Sequence, residues 1–369
     1  MNNEKLVNKA NQKSKRIKTY MDIDLLNNFY VVKVDLTKYF FKNKFNELKG
    51  KDVKSKLFRL EELSSSMSLS TVASTYGHNN QYDNNLNSNL CFLEDVMNSL
   101  SLKLPQSFEN WIISKKGTFI LGRSVIQLFL QKLGIEPCDY EIENGEHGKP
   151  KIVFKSSNNC KNTVKREIEF NITHSDKYLY VIFSSLLCGI DVEKVKPLKS
   201  FTSMQEKVLT RDELLYVKTD NEDLTYSRFF EFWTIKEAIG KAYGRGLGIM
   251  KEINIKANDK TIENPYLLGR LYTYDINNES LINNSKKLQT SNNFKLTYFV
   301  GSLKSDNEEY QLNEQKKVIT NLKTDVEDKL KNIQAKFLKL NYNEQNKTLE
   351  FIEESLESQC FEEKKYMVL

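Results

Sequence analysis

Apolar and polar positions along this 369-residue chain alternate between two periods, and those periods predict its elements. From Phe29 to Leu36 β-branched and aromatic residues cluster, the mark of a first strand. Phe119, Ile120, Val125, Ile126, Phe129, Leu130 and Leu133 fall on one broad side of a helical wheel, and Gly134 supplies the stop. Lys151–Phe154 and Ile168–Ile172 read as strands flanking a polar hairpin, and Tyr178–Ser184 as another strand. Thr210 and Glu213 are spaced as a capping box, so a helix begins there, and a long helix follows from about Tyr226 to the Gly244-Arg245-Gly246-Leu247-Gly248 cluster. Strand-like runs recur at 253–256, 269–274 and 294–303. Val326, Leu330, Ile333, Phe337 and Leu340 alternate spacings of four and three. That pattern is short for a coiled coil, and it favours a helix packed on the body over a dimerisation or partner helix.

The pattern also divides the chain. Residues 1–19 read as a flexible basic arm and 304–369 as a charged, helix-favouring extension. Between them lie segments 20–187 and 188–303, the first interrupted at about 63–90 by a Ser/Asn-rich stretch. That stretch has too little apolar surface to offset the entropy of ordering it, and is expected to be a disordered insertion.

Composition narrows the class. Hydrophobic residues at 39% and charged residues at 28% suit a soluble globular chain, and no apolar run approaches the roughly 20 residues a membrane-spanning helix needs. A net charge of +6 is too mild to argue for nucleic acid, but suits an acidic protein partner or a phosphorylated ligand. The five cysteines show no CxxC pair, which fits a reduced, cytoplasmic setting. The basic start lacks the apolar core of a secretory signal, while an organelle-targeting role stays open.

Candidate chemistry concentrates in two short stretches. In Gly189-Ile190-Asp191-Val192-Glu193, a strand would project Asp191 and Glu193 from one face. In Trp233-Thr234-Ile235-Lys236-Glu237-Ala238-Ile239-Gly240-Lys241, a helix would set Glu237 and Lys241 one turn apart. Three carboxylates and two lysines, Lys236 and Lys241, form a set suited to Mg²⁺ and phosphate, since Mg²⁺ takes a few carboxylate oxygens and completes its shell with water and phosphate. Each part alone has a plain reading: alternating acids on an exposed strand, an ordinary i,i+4 ion pair, and core packing for Phe229, Phe230, Phe232 and Trp233. His147 and His174 lack metal-ligand spacing, so neither a zinc site nor a nucleophilic triad is supported.

Read in order, Gly148-Lys149-Pro150, Phe170-Asn171-Ile172-Thr173-His174-Ser175, the acidic strand and the stretch from Phe232 to Gly248 closely resemble the successive motifs of the 4′-phosphopantetheinyl transferase family. The match is to the larger, surfactin-synthetase-activating or aminoadipate-reductase-activating type. It is tightest over roughly 118–250 and extends loosely from about 28 to 303.

The resemblance implies two similar α/β halves related by a pseudo-twofold axis, with the site between them, and a monomeric core carrying the helical extension. It further implies transfer of 4′-phosphopantetheine from coenzyme A to a serine of an apo acyl, peptidyl or reductase carrier domain, releasing adenosine 3′,5′-bisphosphate. On that reading Asp191, Glu193 and Glu237 hold Mg²⁺, and Lys241 meets the pyrophosphate. Gly148, Lys149 and Pro150 lie beside the nucleotide, Thr173 and His174 at its phosphates, and Arg123 at the 3′-phosphate. The general base is left among Glu237, Glu193 and a metal-bound water. Thr173 stands where serine is common and keeps the hydroxyl. Two rivals are a non-catalytic binding module on the same fold and another Mg²⁺-dependent phosphoryl or nucleotidyl transferase.

Overall fold

The structure, a computed structural model, describes residues 23–36, 113–145, 147–155, 168–277, 293–303, 333–343, 348–354 and 361–369, together with residues 39, 96, 100, 102, 103, 329, 330 and 332. The expected basic arm and the Ser/Asn-rich insertion lie outside the described residues.

The fold is mixed α/β, layered as helix, sheet, sheet and helices. The first sheet orders its strands β12-β11-β1-β5-β4, from β1 (Asn28–Asp35), β4 (Glu169–Ser175), β5 (Tyr178–Ser184), β11 (Gln334–Asn343) and β12 (Thr348–Glu353). The second orders β6-β10-β9-β13-β8-β7, from β6 (Leu187–Lys194), β7 (Asn254–Lys256), β8 (Thr261–Glu263), β9 (Leu267–Asn277), β10 (Asn293–Leu303) and β13 (Phe361–Val368).

Strand alternation sorts side chains between the layers. Tyr30, Val32 and Val34 of β1 pack with Leu121, Val125 and Phe129 of the helix α1 (Ile113–Lys132), where Phe129 stacks on Phe183 at 3.8 Å. Phe29 and Val31 point the other way, into a core shared with Ile190, Val192 and Tyr298 of the second sheet. On the far side of that sheet lie α2 (Phe201–Val208), α3 (Arg211–Val217), α4 (Glu222–Tyr243) and a 3₁₀ turn over Gly246–Glu252. Phe229, Phe230 and Phe232 are buried there, with Trp233 packed against them, so these rings are core. The capping box on α3 forms as read: Thr210 Oγ1 accepts the Glu213 N–H, and the Glu213 carboxylate accepts the Thr210 N–H. Gly244 ends α4 in the left-handed region at φ 85°, where a side chain would be strained.

Two expectations are corrected. The 151–154 strand does not pair with the 168–172 strand; it is β3 (Pro150–Phe154), which closes a separate hairpin with β2 (Tyr140–Asn144), while β4 pairs with β5. The extension is not helical over Gln334–Asn343, Thr348–Glu353 and Phe361–Val368, which are the strands β11, β12 and β13. β11 runs parallel to β1, β12 flanks it, and β13 slots between β9 and β8, so one extension feeds both sheets. β11 is enclosed on both faces: Ala335 and Phe337 meet the inter-sheet core, while Leu338 and Leu340 meet the α1 side. A strand enclosed on both faces loses its period-two signature, and its apolar residues then fall by chance at spacings of four and three.

Candidate active site

The site begins with a close approach. A Cβ at Gly189 would come within 2.0 Å of the Ala238 carbonyl and 2.7 Å of the Ala242 nitrogen, so only glycine lets α4 lie directly on β6. With the two backbones in contact, Asp191 and Glu193, which alternate with buried Ile190 and Val192, face the helix side carrying Glu237 and Lys241. The two shared faces that the strand and helix spacing predicted are realised, and the close approach at Gly189 brings them together.

Lys241 Nζ donates to Asp191 Oδ1 at 2.6 Å and to Thr173 Oγ1 at 3.2 Å. Its ion pair is thus with Asp191 across the strand, and the reading of Lys241 as a simple helical partner of Glu237 is not the one realised. Thr173 Oγ1 in turn donates to Asp191 Oδ1 at 3.0 Å. Asp191 is only 3% exposed, yet its second oxygen, Oδ2, has no hydrogen-bond partner. A buried carboxylate oxygen left bare is costly unless something else supplies a positive charge.

Glu237 is half-buried, and its carboxyl is pushed up to about 7, first by loss of solvent, then by the Asp191 and Glu193 charges, with Lys241 opposing. Glu193 is raised for the same two leading reasons, burial and Asp191, while a hydrogen bond from Ser175 and the Lys241 charge pull it back. The donors are all hard oxygens and their charges repel one another, which is the electrostatic setting a Mg²⁺ ion relieves. Among the described residues, however, no three His, Cys, Asp or Glu side chains converge in metal-ligating geometry. In this arrangement the Lys241 ammonium takes the place beside Asp191. The donor chemistry and the bare Asp191 Oδ2 fit a divalent cation; seating one requires the side chains to draw together.

The remaining candidates fall into two groups. Lys149, at the turn between β2 and β3, donates to the Ala242 carbonyl and to Glu169, each at 3.0 Å. That tie docks the Gly148-Lys149-Pro150 turn against the end of α4, next in sequence to Lys241, with Gly148 itself left-handed at φ 82°. His174 points to the opposite side of β4 from Thr173, keeps solvent contact, and is held below the usual imidazole range by its partial burial and by Lys241, against the pull of Asp191. Arg123 stands apart. It lines a cavity of about 380 Å³ with Phe119, Gln127, Tyr140 and Asn144, its guanidinium 5.2 Å from the Phe119 ring centre. The link to the acidic cluster is indirect: Asn144 in the cavity wall pairs in register with Pro150, and Lys149 beside it reaches α4.

Two features escaped the sequence. Ser175 donates to Glu193 Oε2 at 3.0 Å, and its place two residues beyond Thr173 on a strand was the available signal. Lys236, immediately before Glu237, is fully buried and pairs with Glu213 at 2.6 Å. Nothing in the spacing revealed that pair, because α3 and α4 meet only in three dimensions.

The sequence model of the 4′-phosphopantetheinyl transferase superfamily matches residues 187–298, the stretch holding Asp191, Glu193, Glu237 and Lys241. Residues 187–298 are thus similar to that superfamily. Curated relatives agree. The chain is 29% identical over 156 residues to the 4′-phosphopantetheinyl transferase gsp of Aneurinibacillus migulanus, covering 42% of this chain and 60% of that protein. It is 25% identical over 166 residues to the transferase HetI of Nostoc sp., covering 44% and 67%. With the transferase Sfp of Bacillus subtilis it shares 30% identity over 130 residues, covering 35% and 51%. The chain thus spans between half and two thirds of the length of these relatives. Among the described residues, no helix is long and apolar enough to cross a membrane.

Proposed function

We propose that this protein is a 4′-phosphopantetheinyl transferase acting on coenzyme A and an apo carrier protein. The observation that carries the reading is the junction of β6 and α4, where Asp191, Glu193, Glu237 and Lys241 meet inside the segment matching the transferase superfamily. Asp191, Glu193 and Glu237 would hold Mg²⁺, which when bound neutralises pyrophosphate charge.

The chain's own groups divide the remaining work. The carrier serine oxygen forms a bond to the β-phosphorus of coenzyme A as the bond from that phosphorus to the bridging oxygen breaks, releasing adenosine 3′,5′-bisphosphate. Lys241 is part-exposed and has donor capacity beyond its two present bonds, so it can meet the charge that builds on the leaving bisphosphate. Glu237 and Glu193, both raised by burial and by Asp191, are the carboxylates that could accept the serine proton. The Lys149 turn docked on α4 and the Arg123 cavity would supply the basic positions for the nucleotide end, with Thr173 and His174 assigned to its phosphates. A net charge of +6 favours approach of an acidic carrier, in a cytoplasmic setting and with a monomeric enzyme.

The test is to incubate the protein with apo acyl and peptidyl carrier proteins, coenzyme A and Mg²⁺, and weigh the carriers intact. The reading predicts a gain equal to phosphopantetheine, abolished by a chelator. No gain on any carrier, with thermal protection by a nucleoside triphosphate in place of coenzyme A, would instead point to another phosphoryl or nucleotidyl transferase.

A further inference from the structure

β4 and β6 are the facing edge strands of two different sheets, and no backbone ladder joins them. Hydroxyls do so instead. Thr173 Oγ1 accepts the Val192 N–H at 3.3 Å while donating to Asp191, and Ser175 Oγ accepts the Lys194 N–H at 3.2 Å while donating to Glu193 Oε2 at 3.0 Å. The two hydroxyls alternate on β4 as the two carboxylates alternate on β6, so one register serves both pairs. A hydroxyl carries one proton. With a Ser175 lone pair engaged by the Lys194 N–H, that proton is directed at Glu193. The Lys194 ammonium adds a 2.7 Å pair with Asp176, clamping the β4–β5 turn to the end of β6.

We propose that Ser175 is a positioning residue for the acidic site: it fixes the Glu193 carboxylate from the opposite sheet, so that Glu193 is preset for a divalent cation. The inference rests on the metal-binding reading of Asp191, Glu193 and Glu237. Ser175 is the informative position because Thr173 also holds Lys241 and would disturb two groups at once when changed. Hydrogen bonds to ligating carboxylates commonly govern metal affinity by 10- to 100-fold.

The experiment titrates Mn²⁺ into the full chain without coenzyme A or carrier, following free Mn²⁺ by electron paramagnetic resonance, for wild type, Ser175→Ala and Ser175→Thr. Loss of the hydroxyl should weaken Mn²⁺ binding by about tenfold or more, and threonine should restore it to within about threefold. If the alanine protein does not fold, Ser175→Val against Ser175→Thr gives the same contrast, since these β-branched chains differ essentially in the hydroxyl. Wild type and hydroxyl-free variants binding Mn²⁺ equally would overturn the positioning role, as would threonine binding no better than valine. Wild type that binds no Mn²⁺ would instead overturn the metal-site reading on which the role depends.

Discussion

Lys236 and Lys241 stand little more than one turn apart on α4, and each pairs with a buried carboxylate, yet their surroundings differ in kind. Around Lys236 every group is satisfied. Its ammonium donates to Glu213 Oε2, to the Val208 carbonyl and to the Met250 carbonyl, using all three protons. Glu213 in turn accepts from Lys236, from the Thr210 N–H and from the Ile255 N–H. This closed knot ties α3, the end of α2, the 3₁₀ turn and β7 to the helix, although burial still pulls the Lys236 ammonium below its usual range.

Around Lys241 the accounting stays open. Asp191 keeps a bare oxygen, Glu237 is raised by burial and by Asp191 and Glu193, Glu193 is raised by burial and by Asp191, and the lysine reaches solvent. Natural folds leave polar groups unsatisfied mainly where function requires it. One helix thus carries a closed ion pair and an open one, told apart by completeness and not by distance, since both close at 2.6 Å.

The comparison breaks first at Lys236. Lys236→Met leaves Glu213 buried without its cation and should cost about 3–5 kcal/mol in denaturant unfolding, with no recovery on adding Mg²⁺. A loss below about 1 kcal/mol would show that the knot is not structural.

Glu237→Gln should act in the opposite sense. Because folding raises this carboxyl from 4.5 to about 7, its share of stability is complete below about pH 4.5 and is lost as pH rises through about 7. Glu193 adds a share of the same sign. In the metal-free protein the glutamine variant should therefore gain up to about 3 kcal/mol over wild type at pH 8, converge with it near pH 4, and lose transfer activity. Equal stability of the two proteins at both pH values would remove the strain assigned to the acidic cluster.

The smallest effect belongs to the seam. Lys194→Ala removes the surface pair with Asp176 and should lower stability by less than about 1 kcal/mol, because the Ser175 hydroxyl still holds the Lys194 N–H. A larger loss would shift the joining of β4 and β6 from hydroxyls to charge.

What the sequence revealed follows the reach of its signals. The period of α1, the capping box at Thr210 and the glycine stop at Gly244 are local, and the structure realises each. Asp191 with Glu193, and Glu237 with Lys241, are fixed by strand and helix spacing, so their shared faces were legible. Gly189, which brings the two faces together, was part of a motif without its reason being visible. Pairing partners were not legible: nothing in Gln334–Asn343 announces a parallel neighbour in β1, some 300 residues earlier in sequence. Ser175 and Lys236 act across elements remote in sequence, and local pattern carries no such information.

On the proposed reading, the Asp191 cluster is an open cation site while the Lys236 knot is closed. That contrast is met most directly by thermal unfolding of wild type and Asp191→Asn over increasing Mg²⁺, at fixed ionic strength and pH 8. Mg²⁺ should raise the wild-type midpoint progressively and leave that of the variant almost unmoved. An equal rise in both proteins would contradict that reading.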